Sequence, residues 1–81
     1  MNAKNFHDQL YFLDGLSSVN IIMNTSVVLN FEDDDSGYQF FKELYTKGYD
    51  PISYERRDFT GHISIHKNEL KKYLKKRKKL F

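Results

Sequence analysis

The chain has 81 residues, no cysteine, no tryptophan and one proline, so a single small domain without disulfides or thiolate metal sites is expected. Its formal net charge of +2 hides a division: residues 1–66 carry five Lys/Arg and ten Asp/Glu, a net of −5, and residues 67–81 carry eight and one, a net of +7. An acidic body followed by a basic tail excludes a uniformly basic coat for nucleic acid.

Seven Phe and six Tyr against a single Ala make the core aromatic. A chain rich in Phe, Tyr, Ile, Asn and Lys is what an AT-rich genome encodes, and a phage or mobile-element source is the corresponding expectation. The aliphatic runs Ile21-Ile22-Met23 and Val27-Val28-Leu29 are far shorter than a bilayer span. The opening MNAKNFHDQL has no signal-like apolar run, so a cytoplasmic protein is expected.

Ala3 to Leu16 reads as a first helix. Ala3, Phe6, Leu10 and Leu13 share one face, Phe12 and Leu16 widen it, and Gly15 serves as the stop. The β-branched stretch VNIIMNTSVVLNF reads either as one long strand or, preferably, as a hairpin turning at Asn24-Thr25. Val27, Leu29 and Phe31 alternate inward, and the adjacent Val28 and Ile22 suggest a central strand covered on more than one side.

A second helix is predicted over roughly Ser36 to Lys47, capped by Asp35 or Ser36 and ended by Gly48. Tyr38, Phe40, Phe41, Leu44 and Tyr45 form its apolar arc. Tyr49-Asp50-Pro51 then leads into a hairpin, Ile52 to His66, turning at Thr60-Gly61. Ile52, Tyr54, Ile63 and Ile65 share its apolar face; Glu55, Arg57, His62, Ser64 and His66 share the other. A last helix over roughly Asn68 to Leu80 carries Leu70, Tyr73, Leu74, Leu80 and Phe81 on a stripe interrupted by Arg77. Lysines fill the rest of its surface. The order α-β-β-α-β-β-α implies a two-layer α+β fold, an antiparallel sheet of three to four strands with helices on one face.

The hairpin's polar face is the most chemical feature. Glu55, Arg57, His62 and His66 are the parts of a metal-free ribonuclease: a base, an acid and a guanidinium for the phosphate. Ordinary strand alternation also puts such residues outward and is the better account of them. FFKELYTKGYDPISYERRDFTGHISIH resembles the helix, glycine, strand and histidine-bearing strand of the HicA-type mRNA interferase toxins. That resemblance, over about the last forty residues of the chain, implies a double-stranded-RNA-binding-like fold with His62 catalytic. Gly61-His62 stands without the family's intervening serine, and the later proline and histidine segment is missing.

Glu32, Asp34, Ser36, Gly37 and Glu43 fall on an EF-hand-like frame, but a strand precedes them and an acidic helix start explains them with less. No metal or cofactor is expected. For the tail, three roles compete: phosphate contact, a membrane-surface helix, and a docked helix with solvated lysines. The preferred expectation is a non-enzymatic binding or inhibitory protein acting on nucleic acid or a protein that handles it. Its contacts would be Arg56, Arg57, Lys71, Lys72, Lys75, Lys76, Arg77, Lys78 and Lys79, with Glu32, Asp33, Asp34 and Asp35 as an acidic counterpart. The alternatives are the ribonuclease and a membrane-surface adaptor.

Overall fold

The computed structural model describes residues 2–79, the last for its backbone alone. Three helices and four strands follow one another as α1 (Ala3–Gln9), β1 (Leu16–Ile22), β2 (Ser26–Phe31), α2 (Asp34–Thr46), β3 (Ser53–Arg57), β4 (Thr60–His66) and α3 (Lys67–Lys79). The strands form one antiparallel sheet ordered β1-β2-β4-β3, so each hairpin contributes one inner and one edge strand. The predicted α+β order is the observed one.

Register explains the two faces. Val19, Leu29, Ile63 and Tyr54 lie in one row across the sheet, and Ile21, Val27 and Ile65 in the next. All three helices pack on this side, where Phe6, Leu10, Phe40, Leu44, Leu70, Tyr73 and Leu74 complete the core. The opposite rows are Ser18, Asn30, His62 and Glu55, then Asn20, Val28, Ser64 and Ser53. β2 is an inner strand as expected, but Val28 is half-buried and Ile22 exposed. Among the described residues, therefore, no element covers its second side as expected.

Helix α1 stops at Gln9, well short of the predicted Leu16. Leu16 pairs instead with Phe31, and the Glu32 amide donates to the Gly15 carbonyl at 2.8 Å. A seven-residue helix has little stability of its own, and the strand pairing takes the segment. Phe12 and Leu13 still reach the core, from a turn. The first hairpin turns at Met23-Asn24, where both φ angles are positive (51° and 59°) and the Thr25 amide donates to the Ile22 carbonyl.

Helix α2 begins two residues before its predicted start. Asp33, extended at φ −133°, is the N-cap: one carboxylate oxygen accepts from the Ser36 amide at 2.8 Å, the other from its hydroxyl at 2.9 Å. Its far end closes as predicted at Gly48, φ +85°. The Tyr49 amide donates to Leu44 and the Gly48 amide to Tyr45, the paired bonds of a Schellman motif. Of the predicted apolar arc, Phe40 and Leu44 are buried, Phe41 half-buried, and Tyr38 and Tyr45 exposed.

The second hairpin corrects the predicted turn. It turns at Asp58-Phe59, and Gly61 sits inside β4 opposite Arg56. Close packing is the reason. A Cβ on Gly61 would come within 2.8 Å of the Tyr54 hydroxyl, and the Gly61 Cα lies against Gly37 of α2. Ile52 also leaves its predicted face. Its amide donates to the carbonyl of Ser64, the residue Ser53 already faces, so two residues oppose one and the alternation breaks. Ile52 is 48% exposed.

Candidate functional site

On the outer sheet face, register puts Glu55 opposite His62 and His62 opposite Asn30. The Asn30 amide nitrogen donates to Asn20 Oδ1 at 2.6 Å and Ser18 Oγ at 3.0 Å. Its oxygen therefore accepts from His62 Nδ1 at 2.7 Å. His62 Nε2 meets the Thr60 hydroxyl at 2.9 Å. Beside them Arg57 donates twice to Glu55, at 2.9 and 3.1 Å, and this hydrogen bonding holds the Glu55 carboxyl below the usual carboxylate range.

Three of the four residues named for ribonuclease chemistry thus come together, and His66 does not. It lies four residues further along β4, about 13 Å away, opposite Ser26. Both ring nitrogens of His62 and both oxygens of Glu55 have partners within the face. The arrangement is a bonded polar network on an open sheet.

The acidic run is largely spent on the fold. Asp33 caps α2; Asp34 pairs with Arg56 at 3.2 Å and accepts the Tyr54 hydroxyl. Glu32 and Asp35 remain exposed. Arg56 and Arg57 alternate to opposite faces of β3, so they do not act as one patch. Among the described residues no cluster of three or more metal-ligating side chains occurs.

Helix α3 is docked. Leu70, Tyr73 and Leu74 are buried, and the Lys67 amide and ammonium bond the β1–β2 turn at the Thr25 carbonyl and Asn24 Oδ1. Tyr73, 3% exposed, donates to Glu43 Oε2 at 2.6 Å and touches the rings of Phe12, Phe40 and Tyr49. Arg77, which breaks the apolar stripe in the sequence, lays its guanidinium 3.5 Å from the centre of the Phe12 ring. Leu80 and Phe81, predicted on this stripe, lie outside the described residues, as does the Lys79 side chain.

Lys72 pairs with Glu69 at 3.2 Å. Among the described residues Lys71, Lys75, Lys76 and Lys78 form no ion pair. Lys75, Lys76 and Lys78 are exposed and Lys71 half-exposed. The acids at the start of α2 and the cation Lys47 just past its end are separated by the helix itself, about 20 Å. That exceeds the roughly 10 Å screening length at 0.1 M salt, so the acids at the start of α2 act little on Lys47.

No protein-family model matches the chain, and no curated protein or solved structure matches it either. The resemblance to HicA-type toxins gains nothing from these comparisons. Among the described residues no helix is long and apolar enough to cross a membrane.

Sequence reading missed Asn30, the hub of the outer network, and Lys47, Tyr11 and Tyr49 near α3. Alternation with Val27, Leu29 and Phe31 was a usable signal for Asn30. Nothing local marks the other three, because what groups them is the docking of α3.

Proposed function

We propose that this protein is a non-enzymatic binding module that contacts nucleic acid through the lysines on the solvent side of α3. The observation that carries this is the division of labour within α3. Among the described residues its apolar stripe, Leu70, Tyr73 and Leu74, packs into the body, while Lys71, Lys75, Lys76 and Lys78 form no ion pair. A membrane-surface helix needs a free apolar stripe to insert, whereas phosphate contact needs only the cations. The closed hydrogen bonding of Glu55 and His62 supports binding over ribonuclease chemistry in the same way.

Fluorescence anisotropy with a labelled oligonucleotide tests this. Wild-type protein binds at low salt and weakens as salt rises, with a log–log slope of about −3 for some four neutralised phosphates. Replacing Lys71, Lys75, Lys76 and Lys78 by Gln abolishes binding. Retention of affinity in that variant sinks the proposal. Labelled single-stranded RNA incubated without metal stays intact; cleavage lost in His62→Ala would restore the ribonuclease.

A further inference from the structure

Two clefts flank Arg77. One, of about 350 Å³, is lined by Lys47, Tyr49, Tyr73, Lys76 and Arg77. The other, of about 410 Å³, is lined by Asp8, Gln9, Tyr11, Leu74, Arg77 and Lys78. Each combines a tyrosine at its rim with at least one lysine.

The rings beneath are continuous. Tyr49 stands edge-on to Tyr73 (5.4 Å, 90°), Tyr73 contacts Phe12 (6.4 Å), and Tyr11 stands edge-on to Phe12 (5.9 Å, 89°). Arg77 covers the middle of this chain, its guanidinium on Phe12. Tyr11 is 83% exposed and Tyr49 half-buried. Each of the two rings meets a neighbour edge-on, which leaves a ring face on which a base can stack.

We propose that the two clefts form a track for single-stranded nucleic acid, with bases stacking on Tyr49 and Tyr11 and phosphates meeting Lys47, Lys76 and Lys78. This rests on the nucleic-acid reading of α3 and names the form of the ligand. A duplex turns its phosphates outward and hides its base faces, so it uses the lysines and leaves the tyrosines idle. A single strand offers both, and cations interleaved with aromatics in a concave surface are what it needs. Two carboxylates lie at the track, Asp8 in the second cleft and Glu43 beside the first. Glu43 is occupied by Tyr73 and faces Lys47 at 3.9 Å.

The test is anisotropy on the full chain with a labelled thymidine oligomer of about 15 nucleotides and its duplex, at about 50 mM salt. The single strand binds about tenfold tighter than the duplex. Tyr11→Ala and Tyr49→Ala each weaken the single strand about tenfold and leave the duplex unchanged. Tyr49→Phe keeps the ring and the affinity. Lys47→Gln lowers the salt slope by about one. Thermal melts confirm that each variant folds, and Tyr11→Ala, at an exposed side chain, gives the reading least entangled with stability. Equal binding of both forms, indifferent to the tyrosines but still lysine-dependent, overturns the track and leaves the α3 reading standing. Absence of binding to either form overturns both.

Discussion

Tyr73 ties three elements together, and its hydroxyl carries a pH dependence. Burial first, and donation to Glu43 second, push its proton affinity above the ordinary tyrosine value of 10.0. The unfolded chain releases that proton near pH 10 and the folded chain holds it longer. Stability is therefore intact below pH ~10 and falls as pH rises through and beyond that value. Tyr54 is shifted the same way by burial and by Asp34. Thermal melts between pH about 9 and 11 show a declining midpoint in the wild type, and Tyr73→Phe flattens part of the decline. An unchanged slope in the variant refutes the assignment. Neither environment was visible in the sequence, because Glu43 is 30 residues from Tyr73 and Asp34 is 20 from Tyr54.

The elements were legible in kind and less so in their ends. Three helices and a sheet of three to four strands follow from helical stripes and β-branched runs, the fourth strand resting on the preferred hairpin reading of residues 19–31, and the cap at Gly48 follows from one residue type. The ends moved where another element competed. Leu16 left α1 for a strand partner, and Asp33 capped α2 because β2 ended at Phe31 and left only two linking residues. Gly61 read as a turn because glycine usually marks one; here its missing side chain admits Tyr54 and α2. The first hairpin carries an element-scale prediction. Met23 takes φ +51° in the turn while 88% exposed, a backbone region that costs a side-chain-bearing residue about 1 kcal/mol. Met23→Gly removes that cost and almost no packing. Glycine's freer unfolded chain takes back part of the relief, so denaturant titration shows a net gain of roughly 0.5 kcal/mol; a loss shows that the turn is not strained.

At the scale of the whole molecule, the basic tail is part of the core. Leu70, Tyr73 and Leu74 belong to the same buried cluster as Phe6, Leu29 and Leu44. Deleting residues 71–81 therefore removes core side chains along with the lysines. The truncated chain loses cooperative thermal unfolding, whereas the Lys→Gln variants keep it. For scale, each large-to-small change at such a site costs about 2–5 kcal/mol, and small domains have little more than that to lose. A truncation that melts like the full chain contradicts the docked helix. The nucleic-acid proposal is accordingly probed by substitution at the surface of α3. The exposed Tyr38 and Tyr45 and the half-buried Phe41 and Tyr54 form a second run of touching rings, along α2 and the edge strand β3.

The sequence by itself determined the element order, the inward residues of β2 and β4, and the division of charge between body and tail. Each of these rests on local periodicity or composition. Tertiary structure alone decided which polar residues meet. It brought Asn30 to His62 across 32 residues of chain, separated His66 from them, and turned Arg56 away from Arg57. It also decided that Arg77, an interruption in the helical stripe, stacks on Phe12 between two clefts. Periodicity names the face of an element, and only packing names what lies across from it. The lysines of α3 were in view from the start; that Leu70, Tyr73 and Leu74 beside them are buried in the core was decided by the fold.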